Sequence, residues 1–122
     1  MTAPVVWFEI LGKNAKKLQD FYGELFDWKI NADNPMSYGM VEAGGNGEEP
    51  GKGSIAGGIG SAQEGAPGHV TFYVQVNDMD AYLKRLERMG GRVIVPITEI
   101  PNMVTFAIFA DPEGNMVGLV KG

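Results

Sequence analysis

Val6-Trp7-Phe8-Glu9-Ile10 and Val70-Thr71-Phe72-Tyr73-Val74 are the same kind of segment, met twice. Both mix β-branched and aromatic residues, the composition of a strand. Each is followed by a run with helical spacing, which leads to Trp28-Lys29-Ile30 in the first case and to Arg92-Val93-Ile94 in the second. The offset is 64 residues at Val6/Val70, Ile10/Val74 and Ile30/Ile94 alike. A period longer than a solenoid unit, with two copies and no third, implies two fused modules sharing one core. Paired modules of this kind tend to make a cleft between them. Positions matched by the offset are then expected to face each other in it.

Working outward, strands are expected at Val5 to Ile10 and His69 to Val76. A helix follows each. In the first, Asn14 reads as N-cap, and Leu18, Phe21, Tyr22, Leu25 and Phe26 fall at the spacing of one buried face. In the second, Asp78 reads as the cap, Tyr82, Leu83, Leu86 and Met89 as the apolar stripe, and Gly90-Gly91 as the stop. Lys84, Arg85, Glu87 and Arg88 are assigned to a solvated face. Further strands are expected at Trp28–Ile30, Tyr38–Glu42 and Ile55–Ile59, then at Arg92–Pro96, Val104–Phe109 and Met116–Val120. Asp111-Pro112-Glu113-Gly114 is a turn in which Pro fixes φ and Gly permits the exit, so the last two strands form a hairpin. The order is βαβββ, twice, an α+β chain. The segment Gly44 to Gly68 holds more than half of the 18 glycines and reads as a flap or a simple connection. Within it Gly47, Gly51 and Lys52 suggest a phosphate loop, but the spacing fails and no long helix follows.

Composition narrows the function. The 122 residues make one ordinary domain, with a 44% hydrophobic share that suits a globular core. No cysteine is present, so disulfides, thiolate chemistry and cysteine metal sites are excluded. The net charge of −5 argues against nucleic acid, which requires basic surface. It is compatible with a cationic ligand. There is neither a signal-like start nor an apolar run of membrane length. A soluble, cytoplasmic protein is expected, with no membrane partner.

The doubled modules, with Phe21-Tyr22-Gly23-Glu24-Leu25-Phe26-Asp27-Trp28 closing the first helix and Ala110-Asp111-Pro112-Glu113-Gly114-Asn115 before the last strand, resemble the glyoxalase/bleomycin-resistance/extradiol-dioxygenase superfamily, also called vicinal oxygen chelate. The likeness covers nearly the whole chain. It implies a single domain over 1–122, with module one at about 4–60 and module two at about 68–121, forming a curved mixed sheet around a central cleft. It does not fix function, because similar proteins include metal-dependent isomerases, dioxygenases and epimerases as well as non-catalytic antibiotic binders.

In the resembling enzymes a divalent metal is held by His, Gln or Glu on the first and last strands of each module. Counted from the motifs, those positions carry Trp7, Thr71, Gly118 and either Gly57 or Gly58. Trp and Gly offer no side-chain lone pair and Thr is a poor ligand, so no metal and no cofactor are expected. His69, the sole histidine, lies two residues before the ligand position. Alternation along the strands puts Trp7 and Glu9 on one face, and His69, Thr71 and Tyr73 on the matching one. These five are the candidate ligand-binding residues, with the glycines leaving room on the floor. Trp7 either plugs the space vacated by a metal or walls a ligand site, and Glu9 calls for a partner. Three functions follow: a metal-free binder of a small aromatic or cationic molecule, a glyoxalase-like enzyme with Glu9 as general base, or an interaction domain with a vestigial cleft. A homodimer is expected in each.

Overall fold

The computed structural model describes residues 2–43 and 54–122. Gly44 to Gly53 lie outside the described residues, and with them the phosphate-loop lookalike and the first part of the glycine-rich segment. In chain order the elements are β1 (Val5–Gly12), α1 (Ala15–Phe26), β2 (Ile30–Asn31), β3 (Gly39–Val41), β4 (Ala56–Ser61), β5 (His69–Val76), α2 (Met79–Arg88), β6 (Arg92–Ile100), β7 (Val104–Ala110) and β8 (Met116–Lys121). This is the α+β order βαβββ, twice. Two compact units result: an N-terminal unit of Trp7–Val70, and a C-terminal unit of Thr71–Gly122 together with Met1–Val6.

In the N-terminal unit the strand order is β2-β3-β4-β1. β1 runs parallel to β4, with Trp7 opposite Ala56 and Glu9 opposite Gly58. β3 is antiparallel to both β4 and β2. Ile10, Val41 and Ile59 form the core, and Phe8, Leu18, Tyr22, Trp28 and Ile30 pack on it. Asn14 caps α1 by accepting from the Lys17 amide at 3.0 Å, which satisfies one of the orphan donors of a helix start. The expected five-residue buried face of α1 is corrected. Phe21, Leu25 and Phe26 are more than half exposed, and the buried residue of the helix is Gln19. The apolar stripe is wider than the strip of sheet that α1 covers, so only Leu18 and Tyr22 reach the core. Trp28 precedes β2 instead of opening it, and packs against the rings of Phe8, Tyr22 and Phe26.

In the C-terminal unit β5 is parallel to β8, which is antiparallel to β7, which in turn pairs with β6. Val76, Met79, Leu83, Ala107 and Leu119 make its core. Asp78 caps α2 through the Ala81 amide, and Gly90 at φ 97° turns the chain out of it. Of the predicted α2 stripe, Leu83 is buried, but Tyr82 and Met89 stand out to solvent. β6 continues past Pro96, where a strand end was expected. Its pairing with β7 slips between Val93 and Val95 and again between Val95 and Thr98. Pro cannot donate to a ladder, and such bulges in an edge strand accommodate it.

The turn before β8 is fastened by Asp111. Its carboxylate accepts from the Glu113 amide, the Asn115 amide and the Asn115 side chain, each at 2.9 Å. The Asn115 side chain first, and then these amides, hold Asp111 below the usual carboxylate range. A lowered folded-state value means stabilisation that is present above the unfolded value of about 4 and is lost as pH falls through the folded one. Urea midpoints at pH 7 and pH 3 are expected to differ less for Asp111→Ala than for the native chain. Equal acid sensitivity of the two proteins would contradict this account.

Candidate functional site

β1 sends Trp7 and Glu9 to one face by strand alternation. The residue that joins them comes from the β2–β3 connection. Tyr38 donates its hydroxyl proton to Glu9 Oε2 at 2.8 Å, and its oxygen accepts from Trp7 Nε1–H at 3.1 Å. The order of donors is fixed by chemistry, since an indole only donates and a carboxylate only accepts. All three residues are half-buried. Tyr38 lies flat on the glycines of β4. A Cβ at Gly58 would overlap the hydroxyl end of its ring, at Oη, Cζ and Cε2, and one at Gly60 would come within 2.7 Å of Cδ1.

Tyr38 is not among the candidate residues that the repeat and the motifs point to, and stands just before β3 where the sequence predicts a strand's first residue. A signal was present. Gly58 and Gly60 share a strand face, and two bare positions in a row call for a large neighbour to fill the gap.

The register also decides between Gly57 and Gly58. Gly58 stands opposite Glu9 and so shares the Trp7–Glu9 face, whereas Gly57 pairs with Phe8, whose ring takes its side-chain space on the core side. The expectation that these glycines leave an open floor is corrected. Aromatic rings fill the room over both last-strand positions: Tyr38 over Gly58 and, in the C-terminal unit, Tyr73 over Gly118. Tyr73 pairs with Gly118 in the ladder and is buried. Thr71, also buried, gives its hydroxyl proton to the Met116 carbonyl at 2.7 Å, which closes β5 onto β8. His69 sits half-buried at the start of β5.

The donor set therefore does not fit the metal of the resembling enzymes. In one unit the Trp7 nitrogen is a donor already engaged and Gly58 lies under a phenol ring. In the other the Thr71 hydroxyl is spent on a carbonyl and Gly118 lies under Tyr73. Among the described residues no group of three His, Cys, Asp or Glu side chains is placed to hold a metal, and no helix is long and apolar enough to cross a membrane.

A family model described as Glyoxalase/Bleomycin resistance protein/Dioxygenase superfamily matches residues 5–119. The chain belongs to this superfamily. Among curated relatives, the anthracycline biosynthesis protein DauV of Streptomyces sp. (strain C5) is 30% identical over 120 residues, covering 88% of this chain and 43% of that protein. The chain thus spans under half the length of the first curated relatives it matches. Among solved structures, a superfamily member from Vibrio splendidus 12B01 superposes with a TM-score of 0.63 at 15% identity, over 99% of this chain and 100% of that one. Methylmalonyl-CoA epimerase from Mycobacterium tuberculosis gives 0.65 at 12% identity, over 99% and 91%. At such identities the likeness is one of fold alone.

Proposed function

We propose that this superfamily member binds a small aromatic or cationic molecule without a metal, at the face carrying Trp7, Glu9 and Tyr38. One observation carries the reading: the Tyr38 hydroxyl bonds Glu9 and Trp7 together. The 2.8 Å bond from Tyr38 orients the Glu9 carboxylate. Among the described residues Trp7 stacks on no other ring; the aromatic pairs of this unit are built by Phe8, Phe21, Tyr22, Phe26 and Trp28. An indole face beside an oriented carboxylate suits a ligand with a planar or cationic group and a hydrogen-bond donor. The net charge of −5 favours a cation over an anion in approaching this face.

The same Glu9–Tyr38 bond favours a second reading, in which Glu9 removes a proton from a bound substrate and Tyr38 supplies one. It requires turnover, whereas the first reading does not.

The test is titration of Trp7 fluorescence with benzylammonium and with benzyl alcohol, using Trp28→Phe protein so that one indole reports. Benzylammonium is expected to bind more tightly, and Glu9→Gln to weaken it about tenfold, the loss of one charge-assisted contact. Benzyl alcohol is expected to be indifferent to that change. Equal response to both probes, or none to either, would remove the basis for the proposal.

A further inference from the structure

We infer that Gln19 is a positioning residue for the Glu9–Tyr38–Trp7 group, acting through the Ser37 carbonyl. The inference deepens the binding reading and rests on it for its purpose, since what Gln19 sets is the group offered to the ligand.

Gln19 lies on α1 between Leu18 and Tyr22 and is 7% exposed. An amide buried in that place costs free energy unless it is bonded, and a Met or Leu would pack there without that cost. Its Nε2 donates twice, to the Ile59 carbonyl at 2.9 Å and to the Ser37 carbonyl at 3.1 Å. One bond ties the helix to the middle of β4. The other grips the residue immediately before Tyr38.

The chain around Tyr38 is built for that grip. Ser37 sits at φ 51°, a left-handed conformation that a non-glycine residue adopts at a cost. Gly39 follows Tyr38, and a Cβ there would come within 2.9 Å of Gln19 Cγ and Cδ, so the glycine gives the amide its room. On the other side Asn34 holds both peptide groups of Tyr38. Its Nδ2 donates to the Tyr38 carbonyl at 2.7 Å, and its Oδ1 accepts from the Tyr38 amide at 3.0 Å. With backbone fixed before, at and after residue 38, only the side-chain torsions remain to place the hydroxyl. The ring is laid on Gly58 and Gly60, and those torsions are settled by packing. The position of the phenol is thus set from the helix, by a residue that touches neither Glu9 nor Trp7.

A purely structural Gln19 would contribute to stability alone. A positioning one also changes the environment of the Trp7 indole N–H, and that can be read without any ligand. In Gln19→Met, which conserves volume and removes both donors, the Trp7 indole N–H resonance is expected to shift, and its hydrogen exchange to quicken about tenfold. The peak is assigned by its loss in Trp7→Phe. Tyr38→Phe is expected to produce a comparable change, and Gln19→Met in that background to add nothing further, as for residues acting along one path. Gln19→Glu, nearly the same shape, serves if the Met variant does not fold. Benzylammonium affinity should fall with the exchange protection. An indole resonance and exchange rate untouched by both Gln19 variants, with only the melting temperature lowered, would overturn the inference. Failure of benzylammonium to bind the native chain would count against the binding reading and would leave this readout standing.

Discussion

Alanine at Gly118 is expected to destabilise the protein by about 2–3 kcal/mol, in the upper part of the range for overpacking. Replacing glycine by alanine normally stabilises by about 0.4–1 kcal/mol, because the unfolded chain loses freedom. Here the folded state reverses the sign. Gly118 is held in the ladder between Tyr73 and Ile108, and a Cβ would fall against Cδ2 and Cε2 of Tyr73 and within 2.7 Å of its Cγ. Turning the ring about its own axis does not relieve a contact at Cγ, the atom on which it turns. The whole side chain has to leave, and Tyr73 is 7% exposed. Gly114 supplies the contrast. It lies at φ 89° with nothing near its missing Cβ, so alanine there costs only backbone strain of about 1–2 kcal/mol. Urea unfolding of the two variants checks the order. A Gly118→Ala protein as stable as the native chain would mean that Tyr73 does not occupy that space.

Much of this architecture was legible in the sequence because it rests on local signals. The caps at Asn14 and Asp78 and the Asp111–Gly114 turn depend on residues close together in the chain, and the 64-residue repeat matches two such local patterns. They locate β5 at His69–Val76, as expected, and the other strands to within a few residues. What local signals cannot report is how much of a helix its neighbours will cover. The α1 stripe promised five buried residues, yet Phe21, Leu25 and Phe26 stay exposed and a glutamine takes the buried place. Nor does periodicity tell a bare floor from a filled one. The sequence puts Gly118, and either Gly57 or Gly58, on the candidate faces, and their emptiness reads there as space; the register selects Gly58. Tyr38, 20 residues before Gly58 in the chain, covers that glycine, and its link to Trp7 and Glu9 crosses 31 and 29 residues. The bare face at Gly58 and Gly60 calls for a large neighbour, but a single sequence does not say which distant residue supplies it.

The Tyr38–Gly58 pair should therefore behave as one unit under mutation. Gly58→Ala is expected to cost about 1–3 kcal/mol, because the new methyl displaces the ring. Tyr38→Ala is expected to cost about 2 kcal/mol, less than the full loss of a buried aromatic since the side chain is half-buried. Both changes release the same bonds, to Glu9 and from Trp7. The double variant should then be no less stable than Tyr38→Ala alone, giving a coupling energy equal to the Gly58→Ala cost, about 1–3 kcal/mol, in a double-mutant cycle by urea unfolding. Simple additivity would show that the strand backbone around Gly58, and not the tyrosine, rejects a side chain there. The cycle bears on function as well as packing. In the resembling metal enzymes this strand position supplies a ligand side chain, and in this chain the same volume is filled from the β2–β3 connection by a phenol. The two arrangements exclude each other in space. A ligand side chain restored at position 58 would have to evict Tyr38, and with it the hydroxyl that orients Glu9. Trp7, Glu9 and Tyr38 thus fill that volume with a hydrogen-bonded group, and under the binding proposal loss of benzylammonium affinity in Gly58→Ala should follow the loss of Tyr38 from its place.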